Sequence, residues 1–128
     1  PFSPLGRGMF TDKFENLGMT VESDPRRSLP RFQGEHLENN INLMRELRKV
    51  AERNNITISQ MALAWILDKG ENIIPIPGTK RREYLEQNSE AANIKLNEKE
   101  ILEIENIIRL FPNTGERYGK EAMKRVNG

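Results

Sequence analysis

The sequence predicts an α/β fold that is mostly helical within this chain, with one or two short strands. Three observations predict it. Apolar residues recur at helical spacing through most of 35–111. A single β-branched run, Ile73-Ile74-Pro75-Ile76-Pro77, interrupts them and is bounded by turn residues. That run cannot make a sheet by itself, and only Phe2 offers a neighbour, so the order helix, strand, tight turn, helix reads as the end of an α/β fold.

The elements follow in order. Residues 1–34 are rich in Pro, Gly, Ser and charge and hold no sustained period; they read as a long loop with one helical turn near Arg7 to Phe14. The first helix places Leu37, Ile41, Met44, Leu47, Val50 and Ala51 on one face and Asn40, Arg45, Arg48 and Lys49 on others, ending near Asn54-Asn55. Thr57 and Gln60 form a capping-box pattern that opens a second helix, Ser59 to about Asp68, apolar nearly all round and stopped by Gly70. The strand that follows should be buried but brief, because its two prolines remove ladder donors. After the turn at Gly78-Thr79, a third helix spans about Arg81 to Ala91. Asn97 and Glu100 cap a fourth, which buries Ile101, Ile104, Ile107 and Ile108 and ends before Pro112. The tail, 112–128, is polar, with a short helix expected within Gly119 to Arg125.

Composition narrows the function classes. The 128 residues carry 20 Lys and Arg against 19 Asp and Glu, so no broad basic field points to nucleic acid. There is no cysteine, which excludes disulfides and thiolate metal sites and is compatible with a reducing, cytoplasmic location. With one histidine and scattered carboxylates, no metal-ligand spacing is recognisable. No apolar run approaches the roughly 20 residues that span a bilayer, so no membrane partner is expected. The opening Pro1-Phe2-Ser3-Pro4 reads as the middle of a longer chain, and the natural N-terminus is expected upstream. We treat residues 1–128 as part of one domain.

The stretch that carries most chemistry is Gly78-Thr79-Lys80-Arg81-Arg82, between the strand and the start of a helix. A helix N-terminus presents free N–H groups and positive potential. Three cations there are unfavourable unless an anion is bound, and a phosphate would supply one. Gly78 allows close approach, the Thr79 hydroxyl can donate to a phosphate oxygen, Lys80 is a point charge, and Arg81 is a flat fork able to stack on an adenine. A solvated basic helix start, softened by Glu83, is an equally good reading of these features alone. Ser3-Pro4-Leu5-Gly6-Arg7-Gly8 could wrap a pyrophosphate with converging amides or be an ordinary turn; it is not a strand–GxGxxG–helix fingerprint.

Five separated segments come in the order and spacing of one family: Ser3-Pro4-Leu5-Gly6-Arg7-Gly8, Pro30-Arg31-Phe32, Gln60-Met61-Ala62-Leu63-Ala64-Trp65, Ile74-Pro75-Ile76-Pro77-Gly78-Thr79-Lys80 and Leu85-Glu86-Gln87-Asn88. On these residues the chain resembles the aldo/keto reductase family, from the end of barrel strand seven to the C-terminus. The resemblance implies the C-terminal portion of a (β/α)8 TIM barrel, with Ile73 to Ile76 as strand eight and NADPH as cofactor at the C-terminal ends of the strands. It places Ser3, Pro4, Leu5, Gly6, Arg7 and Gly8 along the pyrophosphate. It places Gly78, Thr79, Lys80 and Arg81 at the adenosine 2′-phosphate, Tyr84 against the adenine, and Gln87 and Asn88 at the adenine edge. Tyr84 stands where Arg or Gln is frequent in the family, and Gln87 where Glu is frequent.

The family's catalytic Asp, Tyr, Lys and His precede this segment, so no residue here inherits those roles. His36 reads as a surface or capping residue, Tyr118 as a packing residue, Trp65 as core, and Arg117, Lys120, Lys124 and Arg125 as a solvated basic tail. The expected activity is NADPH-dependent reduction of a small aldehyde or ketone. This chain would anchor the cofactor, line the substrate pocket through the Phe10 to Phe32 loop, and dock on the N-terminal part of the barrel. Two alternatives are an NADPH-binding regulatory subunit of the potassium-channel β type and a non-enzymatic helical interaction module. The substrate and the oligomeric state stay open.

Overall fold

In a computed structural model the described residues are 2–14 and 23–126. They form five α-helices: α1 (Gly34–Arg53), α2 (Ile58–Asp68), α3 (Arg82–Glu90), α4 (Glu98–Leu110) and the single turn α5 (Lys120–Met123). Short 3-10 turns lie at Gly6–Gly8, Pro25–Ser28, Pro30–Phe32 and Ala91–Asn93.

Both expected capping boxes form. The Thr57 hydroxyl accepts the Gln60 amide at 3.1 Å while the Gln60 side chain accepts the Thr57 amide at 3.0 Å. Asn97 and Glu100 reciprocate at 3.0 and 2.7 Å. These bonds satisfy amides that a helix start otherwise leaves without partners, and they set the first residues of α2 and α4. At the other end of α1, Asn55 turns left-handed at φ 53° and the Ile56 amide returns to the Ala51 carbonyl, which stops the helix where the Asn pair suggested.

The core gathers the inner faces of α1, α2 and α4: Leu43, Met44, Leu47, Val50, Ile58, Met61 and Ile104 are all buried. Met9, Phe14 and Phe32 join it from the segment read as a loop. Phe14 is fully buried and meets Phe32 edge to face, ring centroids 6.1 Å apart. Burying such a ring contributes about 1.5–3 kcal/mol, enough to hold an irregular segment on the helices. Its neighbours 15–22, within the expected substrate loop, lie outside the described residues.

Three expectations need correction. Asn40 was placed on an outer face, yet it is fully buried, because its amide bonds two carbonyls described below. Ile108 was expected in the core but is 36% exposed, since it lies one turn beyond buried Ile104 at the open edge of an apolar cleft shared with Leu47, Met61 and Trp65. The strand was expected to be buried; instead Ile74 and Ile76 are 74% and 63% exposed. Here the physical reason is alternation. Ile73, Pro75 and Pro77 are half-buried, and the intervening side chains point to the opposite side, where a barrel's other strands would lie. The run makes a single parallel bridge, Phe2 to Ile76. Parallel neighbours joined through two helices are a βαβ connection, as the order of elements implied.

Candidate cofactor-binding site

Two clefts flank the loop at residues 3–8, and the loop is built to separate them. Ser3 and Arg7 sit in the left-handed region at φ 50° and 57°, alongside Gly6 and Gly8. Each non-glycine there costs roughly 1–2 kcal/mol, and such strain concentrates at binding sites. The loop closes on itself: the Gly6 amide donates to Ser3, the Gly8 amide to Leu5, and the Thr11 hydroxyl to Gly8 at 2.7 Å. The expected convergence of every amide on a ligand is therefore narrowed. Within residues 4–8, the amides of Leu5 and Arg7 have no backbone acceptor among the described residues. From outside, Arg26 donates to the Arg7 carbonyl at 3.1 Å, and its guanidinium would stand 3.0 Å from a Cβ added at Gly8. Asp24 orients Arg26 through two bonds of 3.0 Å to Nε. Those bonds hold the Asp24 carboxyl down at about 2.

The first cleft, about 180 Å³, joins Leu5 to Gly78, Thr79, Tyr84, Gln87 and Asn88. Six of the residues expected to hold the cofactor thus share one concavity although they lie far apart in sequence. Thr11, Asp12, Lys13 and Ser59 complete its wall, and sequence reasoning missed them, because nothing in their spacing marks them. Ser59 bonds the Phe10 carbonyl at 2.7 Å and so fixes α2 to the loop.

The cationic cluster is divided by its surroundings. Arg82 is paired with Glu86 at 2.7 Å, one helical turn on. Arg81 stands 5.6 Å from the centre of the Tyr84 ring, and Lys13 is 5.7 Å from the same ring. Tyr84 is thus bracketed by cations, each attracted to its π-system. Lys80 is exposed and makes no ion pair among the described residues. The Thr79 hydroxyl, expected to face a phosphate, instead donates to the Arg81 carbonyl at 3.2 Å and accepts the Arg81 amide at 3.3 Å, shaping the turn into α3. Two cations, Lys80 and Arg81, therefore make no ion pair among the described residues at a helix start that has no side-chain cap bond from Arg81, with Glu83 the one acid in its first turn.

The second cleft, about 150 Å³, takes the other side of the loop: Ser3, Pro4, Gly6 and Arg7 line it together with Arg31, Arg117 and Tyr118. The tail's basic residues Arg117, Lys120, Lys124 and Arg125 are exposed, as expected, while the segment just before them is fastened to α1. Asn40 donates to the carbonyls of Arg31 and Thr114 at 3.0 and 2.9 Å, Asn39 to that of Phe111 at 3.2 Å, and Arg31 Nε to that of Gly115 at 3.0 Å. His36 Nδ1 lies 3.1 Å from the Asn113 carbonyl oxygen, which can only accept, so the ring donates there. Gly115 has φ 75°, and an added Cβ would meet the His36 ring at 3.0 Å, so only glycine fits. Tyr118 packs under Arg7, whose guanidinium is 5.0 Å from the ring centre. No helix of the described residues is long and apolar enough to cross a membrane.

Comparison with known proteins places this geometry. The model of the Aldo/keto reductase family matches residues 1–109. The chain is 39% identical over 125 residues to aldo-keto reductase yakc of Schizosaccharomyces pombe, whose name specifies NADP(+), covering 98% of this chain and 37% of that protein. It is 40% identical over 122 residues to probable aldo-keto reductase 1 of Glycine max, covering 92% of this chain and 34% of that one. Aldo-keto reductase str7 of Strobilurus tenacellus is 37% identical over 119 residues, covering 93% and 35%. The glycerol dehydrogenase AKR11B4 of Gluconobacter oxydans superposes with a TM-score of 0.76 at 24% identity, over 86% of this chain and 33% of its own. The chain thus spans about a third of the length of the relatives it matches. The parallel pairing of Phe2 with Ile76, with no further strand beside it among the described residues, is what one end of an opened barrel leaves. The chain belongs to the aldo/keto reductase family, and its fold is the C-terminal portion of a (β/α)8 TIM barrel.

Proposed function

We propose that this chain is the cofactor-anchoring portion of an NADPH-dependent reductase that converts aldehydes or ketones to alcohols. The observation that carries the reading is the cleft joining Leu5 to Gly78, Thr79, Tyr84, Gln87 and Asn88, with Lys80 and Arg81 free of ion pairs among the described residues at the neighbouring helix start. The residues fit a nucleotide carrying an extra phosphate. A cleft of about 180 Å³ is smaller than the roughly 300–1,000 Å³ of a whole small-molecule pocket, so it suits one end of a dinucleotide. Gln87 and Asn88 offer amides to a base edge. Lys80, Arg81 and the first amides of α3 would hold the 2′-phosphate, and the free amides of Leu5 and Arg7 the pyrophosphate.

When bound, NADPH supplies the hydride, and this chain's task is to orient it. Ser3, Gly6 and Arg7 line the second cleft and would lie beside the dinucleotide, with that cleft as the place for a carbonyl substrate. The rest of the barrel is the proposed partner of the apolar side chains left exposed, among them Phe2, Ile74 and Ile76. Relatives of about three times this length, one with NADP(+) in its name, support the reading.

Calorimetric titration of the complete protein with NADPH and NADH tests it. One charge-assisted bond to the 2′-phosphate is worth about 1.5–3 kcal/mol, so NADPH should bind at least about tenfold tighter. Equal affinities would refute the assignment of Lys80 and Arg81.

A further inference from the structure

The second cleft is chemically unlike the first. Arg7, Arg31 and Arg117 all line it, and no acidic side chain among the described residues does. Its other walls include Phe2, Phe10 and Phe32. Arg31 is held in place by its Nε bond to the Gly115 carbonyl, and its two terminal nitrogens have no acceptor among the described residues. That leaves the fork with which a guanidinium binds an oxyanion in two places. Burial, first, and the nearby charge of Arg117, second, push the Arg31 pKa down, with Glu116 opposing. Arg31 is half-buried and Arg117 exposed at the cleft's rim, and two guanidinium groups that repel each other there are stabilised by an anion placed between them. Arg7 faces the Tyr118 ring at 5.0 Å, whereas Arg31 and Arg117 have no ring contact among the described residues. The tail that supplies Arg117 is not free to swing away, because Asn40, His36 and Arg31 fasten residues 113–115 just before it.

We infer that Arg31 and Arg117 form a carboxylate seat in the substrate pocket, so that the preferred substrates are aldehydes or ketones carrying a carboxylate on an aromatic or apolar body. This rests on the proposed reductase function. The seat lies across the residue 3–8 loop from the nucleotide cleft: Leu5 lines one, while Ser3, Gly6 and Arg7 line the other. The carboxylate would be gripped by the two guanidinium groups while the body lies against Phe10 and Phe32. An oxyanion there could also come from the cofactor's pyrophosphate, since Ser3, Gly6 and Arg7 share the wall, and the experiment has to separate the two.

The test compares 4-carboxybenzaldehyde with its neutral methyl ester in the complete protein. Arg31 also anchors the tail, so Arg117→Ala carries the test and Arg117→Lys is the conservative control. We expect Arg117→Ala to lower the ratio of kcat/KM for the acid over the ester at least tenfold, mainly through KM, with the NADPH Kd moving less than twofold and Arg117→Lys recovering part of the ratio. An unaltered ratio overturns the seat. So does a weaker NADPH Kd with both aldehydes slowed alike, which would give the cations to the pyrophosphate. Benzoate binding by calorimetry supplies a readout without turnover. Binding to the wild type that weakens at least tenfold in Arg117→Ala supports the seat even if NADPH fails to bind, in which case the reductase reading alone falls. A wild type that takes NADPH but not benzoate overturns the seat and leaves the reductase reading standing.

Discussion

Two irregular segments each wall a cleft, and they are held in opposite ways. The tail around Pro112 to Tyr118 is pinned from within this chain by Asn40, His36 and Arg31, all bonding to its backbone carbonyls, with Asn39 holding Phe111 just before it. The run from Ile73 to Lys80 has one bridge, to Phe2, and exposes Ile74 and Ile76. The tail's placement is thus written into side chains of its own neighbourhood. The strand's placement depends on neighbours that, apart from Phe2, are not found among the described residues. Binding residues at the end of such a strand are positioned by the whole barrel, whereas those of the tail travel with α1.

The contrast can be broken most severely at Asn40. Asn40→Ala removes two bonds from a fully buried amide and leaves two carbonyls without it, so stability should fall by about 2–4 kcal/mol in denaturant titrations. A change below 0.5 kcal/mol would mean that the tail is held by something else. Ile76→Ala sharpens the other side. A side chain 63% exposed should cost little, but in a complete barrel that covers it the loss should reach about 2–3 kcal/mol. Should the complete protein tolerate the change at no cost, the face is not a barrel interior. Ser59→Ala gives up the 2.7 Å bond that fixes α2 to the loop between the clefts, and about 1 kcal/mol with it.

The smallest effect is a pH dependence. Asp24 titrates at about 2 in the fold, below the roughly 3.9 of an unfolded chain. Its pairing with Arg26 therefore stabilises fully above about pH 4, and that contribution is lost as pH falls toward about 2. Melting curves of wild type and Asp24→Asn should differ at pH 5 and converge as the pH is lowered. A gap that widens on acidification would contradict the sign.

The sequence was informative where local chemistry decides the outcome. Thr57 with Gln60 and Asn97 with Glu100 are reciprocal pairs three residues apart, so the starts of α2 and α4 could be read within a residue. The helical period located α1, α2 and α4 for the same reason. Asn40 was misread because a buried amide is set by distant carbonyls, at Arg31 and Thr114, that no local pattern announces. Burial of Ile73 to Ile76 was misread because β-branched runs report the environment of a completed sheet. In the candidate site, Gly78 to Arg81 stood out through cations at a helix start, whereas Lys13, Ser59 and Arg117 carry no signal until the chain folds them onto the clefts. Of the three cations at that start, Arg82, to which no cofactor role was given, is the one paired with an acid, Glu86.

The account turns on what Lys80 does with its charge. The decisive measurement is the dissociation constant of NADPH and of NADH for Lys80→Ala in the complete protein, by calorimetry at fixed ionic strength. The account predicts that NADPH binding weakens by about 1–3 kcal/mol, the worth of a charged hydrogen bond, while NADH binding stays as it was. Equal losses for both cofactors, or none for either, would contradict it.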